Sequence, residues 1–144
     1  MNKDIDGNEI KPGCLVYMAV AGTGTAYMKR AFIVNMANTA RIIYTEPRWS
    51  YYSSSRISCA NVSNLRAMVV KKEYPRFVGV DECTWFDKKA DTTIELTKFS
   101  IALLEWIEEN TSDEWTITKS AKEVAFKNPQ DAMMFKLVLA GDSC

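Results

Sequence analysis

Ile10-Lys-Pro-Gly-Cys-Leu-Val-Tyr-Met-Ala-Val-Ala21 and Tyr27-Met-Lys-Arg-Ala-Phe-Ile-Val-Asn-Met36 decide how this chain folds. Pro12-Gly13 sets a tight turn, and Cys14 to Ala21 is apolar and β-prone enough to form a largely buried strand. Gly22-Thr-Gly-Thr25 breaks it. Such a glycine-rich turn can hug a phosphate, but it lacks the lysine and helix of a P-loop and reads as a hairpin tip. The second strand starts at an exposed Lys29-Arg30 and has Phe32, Ile33 and Val34 as its buried body. Ala40 to Thr45, Arg56 to Val62 and Ala67 to Val70 supply three more strands across short turns. The turn signal Asp6-Gly7-Asn8 makes residues 1–9 a lead-in. Five closely spaced strands predict a small, separable β-barrel over residues 1–72.

Charge singles out the same stretch. Between Glu9 and Glu73 the only acid is Glu46, against nine cations. The net charge of zero conceals a division: residues 1–80 hold eleven cations and five acids, residues 81–144 seven lysines and thirteen acids. Asymmetry of this kind points to a polyanion partner, with mutual attraction of the two parts, or of two copies, as the alternative.

Glu46-Pro-Arg-Trp-Ser-Tyr-Tyr-Ser-Ser-Ser-Arg56 places three large rings in a loop or strand edge. Rings flanked by arginines can stack on bases or sugars while guanidinium groups meet phosphates. The same rings could instead fold over an open barrel end. The candidate nucleic-acid surface is Lys29, Arg30, Arg41, Arg48, Trp49, Tyr51, Tyr52, Arg56, Lys71 and Lys72.

Strand, loop, strand, hairpin, strand, short turn and short final strand over about sixty residues resembles the SH3-like barrel, including its KOW variant. The resemblance rests on Pro12-Gly13, the pairs Ile33-Val34 and Ile42-Ile43, and the turn Val62-Ser63-Asn64-Leu65. It implies binding of nucleic acid or peptide by exposed loops, without catalysis by the barrel.

Residues 73–91 read as a linker and packing segment, with Pro75 blocking helix. From Thr92 the period changes. Thr92-Thr-Ile-Glu95 has capping-box spacing and opens a helix with Leu96, Phe99, Leu103 and Ile107 on one face, although Thr92 to Thr97 also alternates as a strand would. Glu114 to Thr118 and Glu123 to Phe126 form a hairpin. The last helix has Asn128 as cap, Pro129 at its first position and Gly141 after its end. The fold class is therefore α+β: a basic SH3-like barrel, then an acidic helix–hairpin–helix (α-β-β-α) unit over 92–144. Glu105-Trp106, Trp115 and Val124 to Leu137 resemble the closing segment of small accessory proteins of tailed bacteriophages. Joined to a basic barrel, this is similar in plan to phage early proteins that bind DNA and modulate host transcription.

No histidine is present, which removes His-based general bases, Ser-His and Cys-His pairs and most zinc sites. Cys14, Cys59, Cys83 and Cys144 lack metal-ligand spacing and are expected to be reduced. Asp81, Glu82 and Asp87 could hold Mg²⁺ but have no supporting motif. The expectation is a non-enzymatic nucleic-acid-binding accessory protein that needs no cofactor, with duplex DNA as partner. The alternative is an inhibitor that meets a host protein through Glu105, Glu108 and Glu109. Those acids crowd a helix C-terminus, against the macrodipole. The polar N-terminus and the lack of a long apolar run point to the cytoplasm and away from membranes.

Overall fold

A computed structural model describes residues 3–21, 26–45 and 57–142. The chain is α+β. Strands β1 (Cys14–Ala21), β2 (Ala26–Met36), β3 (Ala40–Tyr44), β4 (Cys59–Val62) and β5 (Met68–Glu73) form one antiparallel sheet in the order β4-β3-β2-β1-β5. A 3-10 turn, Leu65–Ala67, leads into β5. Among the described residues the sheet does not close into the expected barrel, because β4 and β5 remain its edges.

The inner face of the sheet is nevertheless buried. Cys14, Val16 and Met18 of β1, Ala31 and Ile33 of β2, Ala40 and Ile42 of β3, and Met68 of β5 form one buried cluster with Ile10. They alternate along their strands and so share a face. Among the described residues, Met36, Tyr44, Ala60, Val62, Leu65 and Val70 of the same sheet and its turn pack beside them. Asp4 covers part of one edge, accepting the Val70 N–H at 2.9 Å and the Asn8 N–H at 2.8 Å.

The outer face is buried differently. Leu15, Phe32, Val34 and Ile43 belong to a second cluster that runs into the C-terminal part of the chain. Phe32 lies 4.8 Å from Phe77, 6.0 Å from Phe99 and 6.1 Å from Trp115, ring centre to centre. Tyr74 and Phe77, in the expected linker, are buried in this core. Gly13 makes their approach possible: its φ is +96°, and a β-carbon there would lie 2.9 Å from the Tyr74 carbonyl oxygen.

The C-terminal part begins with a strand. Thr93–Glu95 is β6, paired with β8, and not the expected first turn of a helix. Helix α1 (Ile101–Asn110) starts later, with Ser100 as its cap: the hydroxyl accepts the Leu103 N–H at 3.2 Å. Alternation of Ile94 and Leu96 into the core outweighs the Thr92/Glu95 capping spacing. β7 (Trp115–Ile117) and β8 (Glu123–Phe126) form the hairpin, giving a second sheet of order β6-β8-β7. Helix α2 (Pro129–Asp142) has Asn128 at its start, whose side chain accepts the Gln130 N–H at 2.9 Å. It runs through Gly141 instead of stopping before it. The unit is thus β-α-β-β-α. No described helix is long and apolar enough to cross a membrane. Cys14, Cys59 and Cys83 are unpaired.

Candidate nucleic-acid interface

Register decides where each cation goes. In the β1–β2 pair Tyr17 faces Arg30, and Met18 faces Lys29. Neighbouring strand residues point to opposite faces, so Lys29 and Arg30 do not form one patch. Lys29 projects at the rim of the inner face, its ammonium 4.9 Å from the Tyr44 ring centre. Arg30 lies with Tyr17 on the outer face, one row beyond Leu15 and Phe32. Both cations are half-buried.

A bulge separates Lys71 from Lys72 in the same way. Leu15 pairs with Lys72 and Val16 with Val70, which leaves Lys71 as the extra residue on β5. Lys71 reaches Tyr17, with the ammonium 5.2 Å from the ring centre, a distance at which the ring quadrupole attracts a cation. Lys72 turns to the C-terminal part and meets Glu105 at 2.5 Å. Arg41 is also engaged: its Nε donates to the Lys119 carbonyl at 2.8 Å and its guanidinium to the Asn61 side chain at 3.4 Å.

On the outer face Tyr17 thus lies between Val69 of β5 and Arg30 of β2, with the Lys71 ammonium over its ring, and the three form a cluster Lys71, Tyr17, Arg30. Thr45 continues it on the β3 side, bonded through both its N–H and its hydroxyl to the Arg30 carbonyl at 3.2 Å. From Thr45 the chain runs into residues 46–56, so Arg48, Trp49, Tyr51, Tyr52 and Arg56 lie outside the described residues. Tyr17 and Tyr44 were not among the sequence candidates. For Tyr17 a signal existed, since alternation with Val16 and Met18 puts it off the inner core.

The acids of α1 are turned largely inward. Glu105 accepts the Tyr74 hydroxyl at 2.9 Å as well as Lys72. Lys72, and then the Tyr74 hydroxyl, hold its carboxyl below the usual range against the opposing effect of burial. Burial, aided by Glu105, pushes the Tyr74 hydroxyl up. Glu108 accepts the Trp115 indole N–H at 3.0 Å and lies 3.5 Å from the Arg76 guanidinium, which also donates to the Glu108 carbonyl. Glu109 is exposed. Two of the three proposed partner-binding acids therefore join α1 to residues 72–76 and β7. Lys72–Glu105 and Arg76–Glu108 also express the attraction between the basic and acidic parts of the chain. No group of three metal-ligating side chains occurs among the described residues.

No known protein family, curated protein or solved structure matches the chain.

Proposed function

We propose that the chain is a non-catalytic nucleic-acid-binding accessory protein whose ligand crosses the outer face of the five-stranded sheet at its Tyr17–Arg30 end. The observation that carries this reading is the cluster Lys71, Tyr17, Arg30, which leads through Thr45 into a segment bearing Arg48, Trp49, Tyr51, Tyr52 and Arg56. Cations beside rings on a sheet face suit phosphate contact combined with stacking. Neither α1 nor α2 carries arginine, so recognition works through phosphates and shape with little base preference.

Fluorescence anisotropy with duplex DNA, single-stranded DNA and RNA across a salt series tests this. Duplex DNA is the expected ligand. Replacing Arg30, Arg48 and Arg56 with alanine should flatten the slope of log K against log[salt] by up to about 3. The adjacent lysines give the sharper test. Lys71→Ala should lower the slope by about 1, whereas the charge-balanced pair Lys72→Ala/Glu105→Gln should leave it unchanged. A threefold variant that folds and binds like the parent would sink the reading.

A further inference from the structure

Helix α2 is apolar around most of its circumference. Its polar residues are Gln130, Asp131, Lys136 and Asp142, and Asp131 is buried, accepting the Ser112 N–H at 3.1 Å. A helix with apolar residues on more than one side normally has a neighbour on each. On one side Ala132 and Phe135 pack inward, with Phe135 5.3 Å from Phe126 and 5.8 Å from Trp106. On the other, Met133, Met134 and Leu137 are exposed at 64%, 44% and 68%.

Beside this ridge lies a groove of about 680 Å³ between α1 and α2. Ala102, Leu103 and Trp106 form one wall, and Phe135, Val138 and Leu139 the other. At roughly 100° per residue, Met133, Leu137, Met134 and Val138 fall within an arc of about 140°. Val138 therefore joins ridge to groove, and the apolar surface is continuous.

We propose that this surface pairs with a second copy of the chain, the Met133/Leu137 ridge of each protomer entering the groove of the other about a two-fold axis. A ridge and a matching groove side by side on one helix are what an isologous interface requires, since each copy must offer both halves of the contact. An extraneous partner would need only one of them. Size agrees. A 14-residue helix is about 21 Å long. Ridge and groove together then cover on the order of 500 Å² per copy, or about 1,000 Å² in total, the lower bound for a specific interface. Lys136 on α2 and Lys98 at the rim of the groove are the charged side chains of this surface, and the chain's net charge of zero raises no long-range barrier to self-association.

Sedimentation velocity of the full chain from 1 to 500 µM tests the pairing. The expected result is a concentration-dependent species of twice the 16.3 kDa chain mass. Leu137→Glu, at an exposed position, should leave the circular dichroism spectrum intact and weaken dimerisation at least 100-fold. Ala102→Arg, in the opposite groove wall, should also weaken it by at least 10-fold. A monomer at every concentration overturns the proposal, as does a dimer indifferent to Leu137→Glu. Disruption by Leu137→Glu but not by Ala102→Arg overturns the ridge-in-groove arrangement.

Discussion

Ile33 and Phe32 are neighbours in β2 and face opposite ways. Ile33 packs with Val16, Ile42 and Met68 in a core whose described members all come from the five-stranded sheet and its lead-in. Phe32 packs against Tyr74, Phe77, Phe99 and Trp115, all supplied by chain beyond β5. One set of strands thus serves a private core and a shared one. The private core holds the shape of the sheet; the shared one makes residues 73–142 part of the same folded body.

The largest expected effect comes from removing the cover. A fragment ending at Lys72 leaves Leu15, Phe32, Val34 and Ile43 without their partners. It should lose cooperative urea unfolding. A fragment that unfolds in one sharp transition would break the comparison, because the inner core would then suffice alone.

Point substitutions sharpen it. Phe32→Ala should cost about 3–5 kcal/mol and Ile33→Ala about 2–5 kcal/mol in urea denaturation. The two should differ in coupling more than in size. Phe32→Ala combined with Trp115→Ala should show a coupling energy of about 0.5–3 kcal/mol, and Ile33→Ala with Trp115→Ala less than about 0.5 kcal/mol. Equal coupling would mean that the two faces are not independent.

The smallest effect concerns the ionic contacts at the margin of the shared core. Glu105 has its folded-state carboxyl held below the ordinary value near 4.5, first by Lys72. Its contribution is therefore present above that value and is lost as the pH falls through the depressed one. Glu105→Gln should cost under about 1 kcal/mol at pH 7 and reduce the fall in stability on acidification. An unchanged acid profile would show that the Lys72 and Tyr74 contacts add nothing to folding.

Strands β1 to β3 were legible because apolar, β-prone runs are bounded by turn signals such as Pro12-Gly13. The start of α1 was not, because Thr92 to Leu96 satisfies a capping box and a strand equally. What decides it is the pairing of Ile94 with Val124, thirty residues away. Around Tyr74 to Phe77, proline and charge mark an irregular backbone, but not where its rings are buried. In the candidate site, composition located the basic strands but could not assign their lysines. Lys71 and Lys72 look alike in sequence, and only a bulge sends one to Tyr17 and the other to Glu105. The five candidates between Arg48 and Arg56 lie outside the described residues.

The stacking of Trp115 on Phe32 has a consequence for how the chain is made. During synthesis, β1 to β3 are complete at Tyr44, but the ring that covers their outer face is about seventy residues further on. At roughly 5–20 residues per second, Phe32 and Ile43 wait several seconds for their cover. For that interval the nascent sheet presents an apolar face, and at the ribosome its yield depends on how quickly the rest of the chain arrives.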